Sequence, residues 1–98
     1  MLVKIHNSYR TIVAICDSDI IGKKFEEGDK VIDVRESFFK GEEKTEKEVL
    51  EVIEKYSMED ATFNIFGKKS IELALKSGII NQAGVKKIKG VPIALVLL

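Results

Sequence analysis

The sequence predicts an α+β domain, a two-layer sandwich in which two helices pack on one face of a mixed, mainly antiparallel sheet. Three observations carry this prediction. Two β-prone runs near the start, "LVKIH" (2–6) and "RTIVAIC" (10–16), are separated only by "NSY" and read as a hairpin. Two later segments place apolar residues at helical spacing between recognisable start and stop residues. The final run, "PIALVLL" (92–98), is continuously apolar, contains β-branched residues and is too short for a long helix. The resulting order, β-β-β-α-β-α-β-β, is neither all-parallel nor a meander, which leaves helices packed on a mixed sheet.

Each element has a local signature. In the first hairpin, Ile12 to Cys16 are apolar at consecutive positions, as expected of a strand buried on both faces. "KVIDV" (30–34) follows the Gly28-Asp29 turn signal and predicts a third strand, after which "ESFFKGEE" reads as a loop. Thr45 and Glu48 have the spacing of a capping box, and Val49, Leu50, Ile53 and Tyr56 then form an apolar stripe opposite Glu46, Lys47, Glu51, Glu54 and Lys55. "TFNIF" (62–66) is a short strand. Gly67 opens the second helix, which runs through Ile71, Ala74 and Leu75 to Gly78 at its C-terminal cap. "VKKI" is a short strand before Gly90, and 92–98 is the last; left exposed, that apolar strand would aggregate, so it belongs inside the sheet or against another subunit.

Ninety-eight residues suit a single domain spanning 1–98. No apolar run approaches the roughly 18 residues that a membrane span requires, and "MLVKIHNSYR" lacks the pattern of a secretory signal. A cytoplasmic location without membrane association is therefore expected. Cys16 is the only cysteine and His6 the only histidine, so neither a disulfide nor a protein-only zinc site is expected, and no cofactor motif is present. Fourteen lysines against two arginines, with many glutamates, give the Lys/Glu-rich surface enriched in thermophile proteins. The net charge is zero, but residues 1–25, 26–60 and 61–98 carry +2, −7 and +5. Such segregation favours a partner of defined charge.

The lysines hold the main functional signal. Glycine precedes a lysine pair at Gly22-Lys23-Lys24 and Gly67-Lys68-Lys69, and Lys86-Lys87 follow Gly84 with one insertion. Lys68 and Lys69 fall in the first turn of a helix, where cations are disfavoured by roughly 0.3–1 kcal/mol each. A bound anion would relieve that conflict, with free N–H groups and the Ser70 hydroxyl as its donors. This is not a Walker motif, because Thr62 stands where the first glycine would be. The plainer alternative has both lysines simply hydrated. Phe25, Phe38, Phe39, Phe63 and Phe66 lie near these clusters, either as stacking rings or as core. The acidic pairs Glu26/Glu27, Glu42/Glu43 and Glu59/Asp60 read as a solvated face.

A thiol mechanism is the competing chemistry. Cys16 and Asp17 are adjacent, but the hairpin sets His6 near its turn and roughly 20 Å from Cys16. Cys16 then reads as a buried small hydrophobe, Asp17 as a strand end or a cap of "SDII", and His6 as a surface residue beside the turn.

"CDSDIIGKKFEEG", "ESFFKGE", "NIFGKKSIELALKSGII" and "IKGVP" together resemble the archaeal family called domain of unknown function 424, over nearly the whole chain and in the family's order. The matching positions are Cys16, Asp17, Gly22, Lys23 and Phe25, then Phe38, Phe39, Gly41 and Glu42, then Asn64, Gly67, Gly90, Val91 and Pro92. The resemblance implies a small archaeal cytoplasmic α+β protein with no established activity and an association with RNA or translation. The family's second aromatic is commonly tyrosine, and a histidine commonly follows its Gly-Val-Pro. Here these are Phe39 and Ile93, which weakens any activity that needs those groups.

The expected function is a binding module for phosphate-bearing ligands, RNA first, using Gly22, Lys23, Lys24, Gly67, Lys68, Lys69, Ser70, Lys86 and Lys87. One alternative is a small enzyme with Cys16, Asp17 and Asn64 around a pocket lined by Phe38 and Phe39. The other is a protein-interaction domain or a homodimer formed through residues 92–98.

Overall fold

The computed structural model describes residues 1–98. In chain order its elements are β1 (Leu2–Asn7), β2 (Thr11–Cys16), β3 (Lys24–Glu27), β4 (Lys30–Asp33), α1 (Glu36–Phe39), β5 (Glu42–Glu43), α2 (Glu46–Ser57), β6 (Thr62–Phe66), α3 (Lys68–Ser77), β7 (Lys86–Ile88) and β8 (Val91–Val96). The main sheet has the strand order β5-β1-β2-β6-β8-β7, and β3 pairs with β4 in a separate hairpin. Every pairing is antiparallel except that of β2 with β6, so the mixed α+β sandwich expected from the sequence is the fold observed.

The central β2–β6 pair explains the rest of the packing. Val13, Ala14, Ile15 and Cys16 are all fully buried, because both faces of the sheet are covered at β2. Alternation along the strands sends Val3, Val13, Ile15, Phe63, Ile65, Ala94 and Val96 to one face, where they pack with Val49 and Ile53 of α2 and with Ile71, Leu73 and Ala74 of α3. The opposite face is organised in rows across the strands. Leu2, Cys16, Phe66, Ile93 and Lys86 stand in one row, and Lys4, Ala14, Asn64 and Leu95 in the next. A smaller cluster of Leu2, Ala14, Cys16, Val34 and Phe39 covers part of this second face, with Phe25, Phe38 and Phe66 packed around it.

Three elements depart from the sequence reading. "KVIDV" forms β4, but β4 pairs with β3, a strand of three charged residues around Phe25, and never joins the main sheet. "ESFFKGEE" contains the short α1 and β5 in place of a loop. β8 lies between β6 and β7, yet β7 pairs only with residues 91–93, so Ala94 to Val96 have a strand on the β6 side alone. Gly90 (φ 78) and Lys89 (φ 53), both left-handed, make the tight turn between β7 and β8, a pairing of two positive φ values that suits the twist of a hairpin. No helix is long and apolar enough to cross a membrane.

The predicted capping box is present at α2. The Glu48 amide donates to Thr45 Oγ1 at 3.2 Å, and the Thr45 amide donates to Glu48 Oε1 at 2.9 Å. Hydrogen bonding to the Thr45 amide, with the Thr45 hydroxyl second, holds the Glu48 carboxyl below its ordinary range. The contribution is therefore complete at neutral pH and is lost as the pH falls through the folded value. Thr45→Ala should lower the unfolding free energy by about 1 kcal/mol in urea titrations at pH 7. The loss caused by Glu48→Ala, which removes the titrating carboxyl itself, should shrink in acid.

Candidate functional site

The parallel register of β2 and β6 places Cys16 beside Phe66, so both strands end together and Asp17 arrives next to Gly67. The Asp17 amide donates to the Phe66 carbonyl at 3.1 Å. The Asp17 carboxylate then turns onto the start of α3. Its Oδ2 accepts from the Lys69 amide at 3.0 Å, and its Oδ1 accepts from both the amide and the hydroxyl of Ser70 at 2.8 Å. Gly67 has φ 112, and a Cβ there would overlap the Asp17 carboxyl group, so glycine is required on two counts. The anion expected at this helix N-terminus is the chain's own. Ser70, 1% exposed, and buried Gly67 hold Asp17 and present nothing to a phosphate. Asp17 caps α3, and makes no side-chain cap on the turn at Ser18–Ile20.

The enzyme constellation does not assemble. Cys16 is fully buried, and burial, with the Asp17 carboxylate second, pushes its thiol up from 9.0 to about 12. His6 lies opposite Ile12, four residues from Cys16 along β2. It is half-buried, unlike the surface residue expected: its ring stacks on Phe38 at 4.6 Å between centroids, and Nε2 donates to the Phe38 carbonyl at 2.8 Å. Phe38 and Phe39 line a cavity, but Cys16, Asp17 and Asn64 are not among its lining residues. Asn64 shares the sheet face of Cys16 but is separated from it by a row and opens into a different cavity. No group of three or more His, Cys, Asp or Glu residues is placed to share a metal ion.

The three basic clusters are split by strand alternation. Lys86 and Lys87 point to opposite faces, opposite Ile93 and Pro92 respectively. Lys87 meets Lys68 in a shallow groove floored by Ile71 and Pro92 on the helix side. Lys69 faces Glu46, Glu72 and Lys76. Around Gly22 (φ 79) the backbone is already paired: the Gly22 amide donates to the Val34 carbonyl at 2.7 Å and the Lys23 amide to the Ile20 carbonyl at 3.1 Å, so no free amides point outward there.

Lys24 and Lys86 each border a cavity that Phe66 also lines. Lys24 and Arg35 border a cavity of about 580 Å³ lined by Phe38, Phe39 and Phe66. Lys86 borders a second cavity of about 460 Å³ lined by Asn64, Phe66, Ile93 and Leu95. Phe66 lines both, so the two cavities adjoin at that ring. The rings of His6, Phe38, Phe39 and Phe66 touch in series, at centroid distances of 4.6, 5.0 and 4.7 Å. Arg35 contacts Asp33 at 3.3 Å and Lys24 contacts Glu26 at 3.8 Å, both exposed pairs. Such pairs contribute about 0–1 kcal/mol, so a phosphate can displace them. Arg35 has no cluster signal in the sequence, and Phe66 reads there as a stacking ring or core residue beside Lys68 and Lys69; the register and the covering hairpin set both beside cavities bordered by Lys24 and Lys86.

The family described as protein of unknown function (DUF424) matches residues 5–98. The chain belongs to this family. No curated protein matches it. Among solved structures it is similar to an uncharacterized conserved protein from Methanopyrus kandleri, with a TM-score of 0.78 and 21% identity over 97% of this chain and 88% of that one. That likeness concerns the fold, and the family description names no activity. Phe39 lines the larger of the two cavities and Ile93 the smaller.

Two outcomes test this geometry. Asp17→Ala should lower stability by roughly 2–3 kcal/mol, since it strips a charged acceptor from the donors of Lys69 and Ser70; a loss within about 0.5 kcal/mol would mean that the cap is dispensable. Native Cys16 should resist a thiol reagent at pH 8 and react on unfolding. Because the folded thiol holds its proton more tightly than the unfolded one, its contribution to stability is complete below pH 9 and is lost as the pH rises toward 12.

Proposed function

We propose that this protein is a binding module for phosphate-bearing ligands, RNA in the first place, and that the ligand lies in the groove on the second face of the sheet. The observation that carries this reading is that two cavities adjoin at Phe66, one bordered by Lys24 and Arg35 and the other by Lys86. The half-buried rings of Phe38 and Phe66 beside cationic side chains suit a strand of RNA, whose bases stack and whose phosphates alternate along it. The closed N-terminus of α3 favours this groove over the Gly67-Lys68-Lys69 segment. A single free thiol and an RNA ligand both fit a reducing cytoplasm.

Anisotropy of a fluorescent RNA oligomer provides the test. Three phosphate contacts with a slope of about −0.7 each predict that binding weakens about 20-fold between about 50 and 200 mM salt. Lys24→Glu and Lys86→Glu should each weaken binding at least tenfold, whereas Lys68→Glu should change it less than threefold. Binding that survives both groove substitutions but fails with Lys68→Glu would move the site to the helix side. No binding at the lower salt would retire the RNA reading.

A further inference from the structure

The last strand of the main sheet leaves part of its main chain unpaired. The Gly67 amide donates to the Pro92 carbonyl at 2.9 Å, so Pro92, Ala94 and Val96 turn their main-chain groups to β6, and Ile93, Leu95 and Leu97 turn theirs to the other side. On that side β7 pairs with residues 91–93 alone. In the same register Gly84 would meet Leu95, but the Gly84 amide donates to the Asn81 carbonyl at 3.0 Å and the ladder stops. The amides and carbonyls of Leu95 and Leu97 thus form an open edge over 94–98. Their side chains are 60% and 73% exposed and share the second face with Asn64. No residue of 94–98 is charged, whereas the other edges carry Glu42-Glu43 on β5 and Lys86-Lys87 on β7. Charge protects an edge from pairing, and the end of β8 is the edge without it.

We infer that residues 94–98 pair with the same residues of a second copy of this chain, antiparallel about a two-fold axis through Val96, so that two sheets join into one. The open stretch is short, because β7 blocks any strand that reaches Ile93. Pairing with Leu95 opposite Leu97 of the second copy sets 94–98 against 94–98 and leaves the positions held by β7 untouched. The alternation matches too. An axis normal to the sheet keeps the second faces of both copies on one side, so each Leu95 packs against a Leu97, and Val96 meets its own copy on the face covered by α2 and α3. The strip has no charge or polar side chain with which to select a foreign strand, whereas its main-chain pattern and leucine spacing are complementary to themselves. Leu97 of the second copy also comes to stand beside Leu95 at the rim of the smaller cavity. The strip is small, so the dimer is weak, with a Kd on the order of 10 µM. It does not depend on an RNA ligand.

Sedimentation equilibrium of the full chain between about 1 and 300 µM should show reversible passage from monomer to dimer and no larger species. Leu95→Pro removes an amide that β6 does not use, and Leu97→Lys puts a charge on the open edge; each should raise the Kd at least tenfold. Met58→Lys, at an equally exposed apolar position after α2, should leave it within about twofold. Far-UV circular dichroism and thermal melting establish that the variants are folded. Val96→Cys sets two thiols at the axis, where facing Cα atoms lie about 4.5 Å apart and a disulfide can close. Oxidation should join its copies, whereas the wild type, whose Cys16 is fully buried, should not cross-link. A chain that stays monomeric at every concentration, or a dimer that persists in both edge variants, would overturn the inference. Growth beyond a dimer would overturn the two-fold axis in favour of head-to-tail pairing. A dimer of Val96→Cys that fails to cross-link would overturn the register.

Discussion

The Asp17 carboxylate, at the point where β2 ends and α3 begins, is the interaction on which the rest of the structure depends. It exists because β2 and β6 run parallel in a register that ends both strands at one level, so that the residue after Cys16 meets the residue after Phe66. Three bonds to Lys69 and Ser70 then fix the first turn of α3 against the sheet. A carboxylate at a helix N-terminus is favoured both by the unpaired amides and by the macrodipole, and it offsets the lysines of that turn. The same arrangement dictates glycine at 67, where the left-handed φ and the proximity of Asp17 leave no space for a side chain.

That one carboxylate also decides which chemistry the protein can offer. It fills the helix end where an external phosphate would bind, and its charge adds to burial in keeping the Cys16 thiol protonated. Both of the chemically attractive features of the stretch from Cys16 to Ser70 are thereby turned to structural use. The surface left for a ligand is the second face of the sheet, which has no long helix of its own. α2 and α3 cover the first face completely, whereas the β3–β4 hairpin and α1 shield only the Leu2, Ala14 and Cys16 side of the second. Asn64, Phe66, Ile93 and Leu95 consequently border an open cavity. The sheet edges at β5 and β7 are only two and three residues long, which limits edge-to-edge pairing.

The elements legible in the sequence are those whose signal is local. The capping box of Thr45 and Glu48, the stripe of Val49 and Ile53, and Gly78 at the end of α3 act within one or two helical turns, and each appears where it was read. The run from Ile12 to Cys16 announced a strand buried on both sides, because such a strand can carry apolar residues at consecutive positions. β3 escaped notice because its charged residues point outward and its stability comes from β4 and from packing beneath the hairpin. α1 was hidden because four residues provide too little periodicity to detect.

The candidate site divides in the same way. The sequence by itself determined the α+β class, the placement of the two long helices, the burial of Cys16 and the presence of lysines beside glycines. Tertiary structure alone decided that Asp17 closes the end of α3, that Lys86 and Lys87 part to opposite faces, and that Lys24, Arg35 and Lys86 border cavities adjoining at Phe66. The physical reason is range. Helix caps and apolar periodicity are set by residues a few positions apart, whereas a groove is made by side chains 20 to 60 positions apart, whose meeting depends on strand register and on the two-residue alternation of a sheet.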